Sequence, residues 1–144
     1  MSMNRVRFGL MVLVTATLCT LALRAAGQAP AGQQQTVKRT VLRQEDLVNN
    51  PGFAAAIVQV DLPVGVREGR HQHPGTLMAL VTEGTITLDY EGKPTMQYKV
   101  GDTFYVEPGK IHEGMNKGTV PVKLIATFVF PKDKPMTIQV PAGK

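Results

Sequence analysis

From residue 36 onward, apolar and polar positions alternate in short runs, and turn residues separate these runs about every eight to twelve positions. The run Thr85 to Tyr90 is the clearest, with Ile86, Leu88 and Tyr90 on one face and polar residues on the other. Alternation with period two predicts β-strands. Short strands at this spacing, without a long helical pattern, predict an all-β fold.

Two runs precede this strand. Thr36 to Leu42 is rich in β-branched residues, and Phe53 to Leu62 is apolar over the length of a strand. Between them, Asn49 to Gly52 reads Asn-Asn-Pro-Gly, which predicts a sharp turn. We therefore expect two strands joined by that turn, although Ala54-Ala55-Ala56 in the second run would suit a helix equally well.

Two runs follow it. Thr95 to Val100 predicts a strand with three residues turned inward: Met96, Tyr98 and Val100. Val120 to Phe130 is apolar on both faces, so the strand it predicts needs a cover on its outer side. Either a second copy of the chain or the terminal segment Met136 to Val140 would provide that cover.

The first 27 residues have the pattern of a secretory signal peptide. Arg5 and Arg7 precede a nearly unbroken apolar run from Phe8 to Leu23, and the small residues of Ala25-Ala26-Gly27 follow. We predict cleavage after residue 27, a flexible lead-in over residues 28–35 and one domain over residues 36–144. The expected location is periplasmic or secreted, with no membrane attachment after cleavage.

Cleavage also changes the charge of the chain. The signal segment carries three arginines and no acidic residue, so the net charge falls from +5 to +2. The remaining basic residues form no stripe, and the chain contains no Trp. Nucleic acid is therefore not an expected partner.

The chain contains three histidines, His71, His73 and His112. His71 and His73 point to the same face of an extended strand, because strand side chains alternate. His112, expected on a facing strand, would supply a third imidazole. Three imidazoles suit Fe, Cu, Ni or Zn and leave open positions for a substrate. The alternative is that each histidine is a surface or core residue with its own hydrogen-bond partner.

The segments that contain these histidines resemble the two motifs of the cupin family. The first motif is matched at four positions: Gly65, His71, His73 and Gly84. The second is also matched at four: Gly101, Gly109, His112 and Asn116. Two positions depart from the family pattern. Leu77 stands where the first motif has an acid, or Met78 if the longer spacing of that motif applies, and Glu107 stands where the second has a proline.

The resemblance implies a single small β-barrel of the double-stranded β-helix, or jelly-roll, type, and a homodimer. It also implies that His71, His73 and His112 are metal ligands, with Leu77, Phe104 and Val106 forming a dry wall around them. A site without the acid resembles the cupins that hold iron by histidines alone, such as thiol and gentisate dioxygenases. We therefore expect a mononuclear non-haem metal-dependent oxygenase acting on a small organic substrate.

Fe(II) is the favoured metal, and Mn, Ni, Cu and Zn are alternatives. Two other functions stay open: a non-catalytic module that binds a metal or small ligand, and a metal-dependent isomerase or lyase.

Four charged residues near the histidines are further candidates for a role in the site. Arg67 and Glu68 precede His71 and are expected to be solvated loop charges, although Glu68 could replace the missing acid ligand or act as a base. Glu107 is a second candidate for that ligand, and the sequence does not decide whether its side chain points inward. Glu113 should face away from the metal because it follows His112 directly.

Overall fold

A computed structural model describes residues 35–141. The predicted signal peptide lies outside these residues, as does nearly all of the predicted lead-in. The described residues form ten β-strands: β1 (Lys38–Leu47), β2 (Asn50–Leu62), β3 (His71–Gln72), β4 (Thr76–Glu83), β5 (Thr85–Tyr90), β6 (Met96–Lys99), β7 (Thr103–Val106), β8 (His112–Met115), β9 (Val122–Pro131) and β10 (Ile138–Gln139). Within this range the model has no helix that could span a membrane.

The strands form two antiparallel sheets of five strands each. The first sheet has the order β1-β2-β9-β4-β7, and the second has the order β10-β3-β8-β5-β6. The core lies between them and consists of alternate residues from several strands, among them Val58, Val60, Ile86, Leu88 and Leu124. The predicted all-β class is confirmed, and the jelly roll takes the form of two packed sheets.

The first predicted turn is wrong by about two residues. Val48 and Asn49 form the turn between β1 and β2, and Leu47 pairs with Asn50. Pro51 therefore lies within β2, in an irregular stretch of the ladder that ends where Asp46 pairs with Ala54. A proline is tolerated there because no regular ladder bond needs its missing N–H group.

The inward orientation predicted for Thr95 to Val100 is wrong at two positions. Met96 and Val100 are 51% and 59% exposed, and only Tyr98 is partly buried against the core. The reason is topological. β6 is the last strand of its sheet and pairs only with β5, so its alternating pattern lies at an edge rather than over the core.

Of the two covers suggested for β9, the terminal segment Met136 to Val140 does not serve. One face of β9 is buried, while the residues of its other face, such as Ile125 and Val129, are only half-buried. The terminal segment instead forms β10, which pairs with β3 in the other sheet. This position places the terminal segment beside the histidines.

Candidate metal centre

The structure brings the three predicted histidines together. Their ring centroids are 4.3 to 5.0 Å apart, and one nitrogen from each ring lies within 4.8 Å of the others. His71 of β3 pairs directly with His112 of β8, so the expectation that His112 lies on a facing strand is wrong. The adjacent strands place these two rings side by side, and His73 follows just after β3.

Each of the three rings uses Nδ1 to bond a backbone carbonyl. His71 bonds Gly69 O at 2.8 Å, His73 bonds Met136 O at 2.7 Å and His112 bonds Lys110 O at 3.0 Å. A carbonyl only accepts, so Nδ1 donates its proton and Nε2 keeps the lone pair. This arrangement fixes the tautomer that presents Nε2 as a metal ligand.

The Nε2 atom of His73 is buried and has no hydrogen-bond partner among the described residues. Buried polar atoms are rarely left without a partner, and an absent ion is one of the few explanations for such an atom. The residues therefore fit a metal that prefers imidazole nitrogen.

Burial keeps the histidines neutral. It lowers the pKa of His73 to about 3 and that of His112 to about 4, and the nearby His71 ring lowers the latter further. The pKa of His71 is also lowered by burial, although its bond to Gly69 opposes the shift. Neutral rings at pH 7 are the form that binds a metal.

Close backbone packing sets the position of His73. A Cβ atom at Gly75 would lie 1.9 Å from Val129 O, so no other residue fits where the chain passes β9 just before β4 begins. On the other side, Gly109 N donates to His73 O at 2.8 Å. The segments at residues 74–75 and 108–109 thus support His73 from both sides.

The rings face a small inner cavity of about 20 Å³, roughly the space of one water molecule. We call it the inner cavity, and its walls are mainly aliphatic and aromatic. Leu77 and Phe104 belong to the wall as predicted, whereas Val106 is fully buried elsewhere in the core. Leu77 rather than the half-exposed Met78 therefore occupies the cavity-facing position of the missing acid.

The cavity wall also contains an ion pair. Glu68 is not a solvated loop charge, because its side chain is only 10% exposed and lines the cavity. Arg39 of β1 donates to Glu68 Oε1 at 2.6 Å. Burial raises the pKa of Glu68, and the positive charge of Arg39 opposes that rise. Sequence reasoning missed Arg39, which lies 29 positions away and in no motif.

A second ion pair, between Arg67 and Glu113, lies outside the inner cavity. Arg67 donates to both carboxylate oxygens of Glu113, whose side chain is 4% exposed. As predicted, Glu113 does not share the cavity with His112. Glu107 is also outside the cavity, paired with Lys93 at 3.2 Å. Of the two acids considered as replacement ligands, only Glu68 thus reaches the cavity.

Asn116 has a structural role at the end of β8. Its side chain is buried, donates to Leu62 O and Val120 O, and accepts from Gly118 N. These three bonds hold the turn after β8 against the end of β2.

The match to a family model agrees with this geometry. Residues 58–128, which include all three histidines, match the model described as "Cupin domain". The chain belongs to the cupin family. The sequence itself matches no curated protein at a significant level.

Solved structures agree on the fold of this cupin. A protein with a double-stranded β-helix domain from Klebsiella pneumoniae is 20% identical, with a TM-score of 0.60 over 76% of this chain and 88% of its own. A DMSP lyase from Ruegeria pomeroyi is 19% identical, with a TM-score of 0.61 over 75% of this chain. An oxalate oxidase is 20% identical, with a TM-score of 0.60 over 76%. The match covers only 54% of the lyase and 57% of the oxidase, and these identities establish the fold alone.

Proposed function

We propose that this cupin binds one divalent metal through Nε2 of His71, His73 and His112. The observation that carries the proposal is the set of three Nδ1–carbonyl bonds, which turn three lone pairs toward one point and leave His73 Nε2 without a partner. Three protein ligands leave coordination positions open, which is typical of catalytic rather than structural sites.

We further propose that the protein is a mononuclear non-haem oxygenase for a small organic substrate. When bound, Fe(II) would supply the redox chemistry and Lewis acidity at the open positions. The three neutral ligands leave the full charge of a divalent ion in place, which favours an anionic or chelating substrate. Leu77 and Phe104 would exclude water from the reacting groups.

A second candidate is metal-dependent lyase or isomerase chemistry. Glu68 favours it, because it places a carboxyl on the cavity wall, and burial raises the pKa of that carboxyl toward the range useful for proton transfer. The relatives of similar fold include both an oxidase and a lyase, so the fold is compatible with either reaction. A purely binding role is the third candidate.

Metal content and oxygen uptake separate these candidates. The protein is purified without an affinity tag of histidines, and its metal is measured in the wild type and in His71→Ala. We expect about one metal per chain in the wild type and less than about a tenth of that in the variant. Equal and low metal content in both proteins would contradict every metal-dependent function.

The identity of the metal then separates the functions. Fe(II) with oxygen uptake on a panel of catechols, diketones and thiols supports the oxygenase. Substrate breakdown without oxygen uptake, lost in Glu68→Gln, supports the lyase or isomerase. Stable metal with neither activity supports a binding module. Export from the cytoplasm and assembly as a homodimer stay predictions, testable by fractionation and light scattering.

A further inference from the structure

The Arg39–Glu68 pair lies between two cavities. One is the inner cavity, which contains the histidines. The other is a groove of about 780 Å³, bordered by residues 35–37, 39 and 64–68, which we call the outer groove. Arg39 and Glu68 belong to the walls of both cavities. The pair therefore forms the boundary between the outer groove and the proposed metal centre.

A ligand can reach the histidines only if this boundary shifts. The inner cavity holds about 20 Å³, which is too little for an organic molecule. Most of its wall consists of buried side chains from the packed sheets, such as Leu88 and Phe128. Arg39 is different, because it lies on the edge strand β1 and its side chain is 35% exposed.

Arg39 is also the only cationic residue of the inner-cavity wall among the described residues. Metal-binding histidines are neutral and add no positive charge of their own. Within residues 35–141 the guanidinium forms a single hydrogen bond, from one terminal nitrogen to Glu68 Oε1. Arg67, by contrast, uses two nitrogens on Glu113. Arg39 therefore keeps donors in the planar arrangement that matches a second carboxylate.

We propose that Arg39 binds the carboxylate of a small organic acid and is the residue that selects this substrate class. The acid enters from the outer groove, its carboxylate bonds the remaining N–H donors of Arg39, and its other end faces the histidines. The hydrogen bond to Glu68 holds the guanidinium in place. The Glu68 carboxylate also shows that a carboxylate fits beside Arg39. The inference rests on the proposed function, because it makes this acid the substrate of the metal centre.

The test compares propionate with propionamide, which have nearly the same shape but differ in charge. Each is titrated into the purified protein, as isolated and after metal removal, and binding is followed by NMR chemical shifts. We expect propionate to bind at least about tenfold more tightly than propionamide, and Arg39→Gln to remove this difference. Arg43→Gln is the matched control, because Arg43 lies on the same strand but pairs with the exposed Glu45.

Glu68→Gln distinguishes ligand binding from a structural role. It removes a negative charge beside the ligand, so we expect propionate to bind more tightly to this variant, whereas a merely structural pair would be damaged equally by either substitution. Arg39→Lys, which keeps the charge, replaces Arg39→Gln if the latter does not fold, and should show an intermediate preference. Wild-type propionate affinity in Arg39→Gln, or weakened affinity in Glu68→Gln, would overturn the inference.

Metal analysis of the same samples separates the two proposals. Normal metal content without a preference for propionate refutes the role of Arg39 alone. A preference for propionate in a protein that binds no metal refutes the metal centre and leaves the anion site standing.

Discussion

Arg67 and Glu68 are neighbours in the chain, yet each belongs to a different ion pair. Both residues lie on an extended segment that pairs with the end of β8. Arg67 forms an isolated β-bridge with Met115, and Glu68 N donates to Gly114 O. Their side chains therefore point to opposite faces of the sheet. Glu68 reaches the inner cavity and pairs with Arg39, whereas Arg67 stays outside and pairs with Glu113.

The two acids respond in opposite ways to similar partners. The hydrogen bonds from Arg67 lower the pKa of Glu113, whereas burial raises the pKa of Glu68 in spite of Arg39. The bidentate geometry of the outer pair favours the charged acid, and the apolar wall around Glu68 disfavours it. The same pair of residue types thus joins two segments outside the cavity in one place and lines the inner cavity in the other.

The largest expected effect comes from removing the outer arginine. Arg67→Gln leaves the buried Glu113 without its charged partner, and we expect a clear fall in the free energy of unfolding. Arg39→Gln should cost less, because Arg39 donates one hydrogen bond to Glu68, whereas Arg67 donates two to Glu113. Urea unfolding of both variants measures the difference. Equal losses would show that the two pairs are energetically alike.

A smaller effect is expected at Gly114, which provides space for the Glu68 carboxylate. A Cβ atom there would lie 2.4 Å from Glu68 Oε2 and 3.0 Å from Ile86 Cδ1. We expect Gly114→Ala to cost about 1 kcal/mol and to displace Glu68 from Arg39. Adding Glu68→Ala should recover part of this loss, which a double-mutant cycle measures. Additive losses would place the Glu68 carboxylate away from Gly114.

The smallest effect is a difference in pH dependence between the two acids in metal-free protein. The pKa of Glu113 is depressed below 4.5, so its contribution to stability is present above that pH and is lost as the pH falls through its folded value. The pKa of Glu68 is raised, so its charged form destabilises the folded protein at neutral pH. This destabilisation is relieved as the pH falls through the raised pKa toward 4.5. Against the wild type, Glu113→Gln should lose stability mainly at neutral pH and Glu68→Gln should not. Parallel pH profiles for the two variants would contradict the opposite shifts.

The sequence predicts the histidine cluster well because local rules determine it. Period-two alternation places His71 and His73 on one face, and motif spacing brings in His112. Local patterns could not predict that the Glu68 side chain is buried in the cavity wall. Its burial depends on pairing with the end of β8, some 46 residues further on, and on Arg39 from the opposite sheet.

The errors at the edges of the fold have the same cause. The alternation of β6 is as regular as that of β5, but only strand order reveals that β6 ends its sheet. Strand order likewise decides that the terminal segment pairs with β3 instead of covering β9. Local patterns thus specify which residues form strands, and long-range pairing decides what those strands cover.

The most direct test of the account is a calorimetric titration of Zn(II) into metal-free protein. We predict one ion per chain for the wild type, and an affinity at least about a hundredfold lower for His73→Ala, which removes the unpartnered Nε2. Glu107→Gln, which changes a carboxylate outside the cavity, should bind like the wild type. Wild-type affinity in His73→Ala would contradict the three-histidine centre.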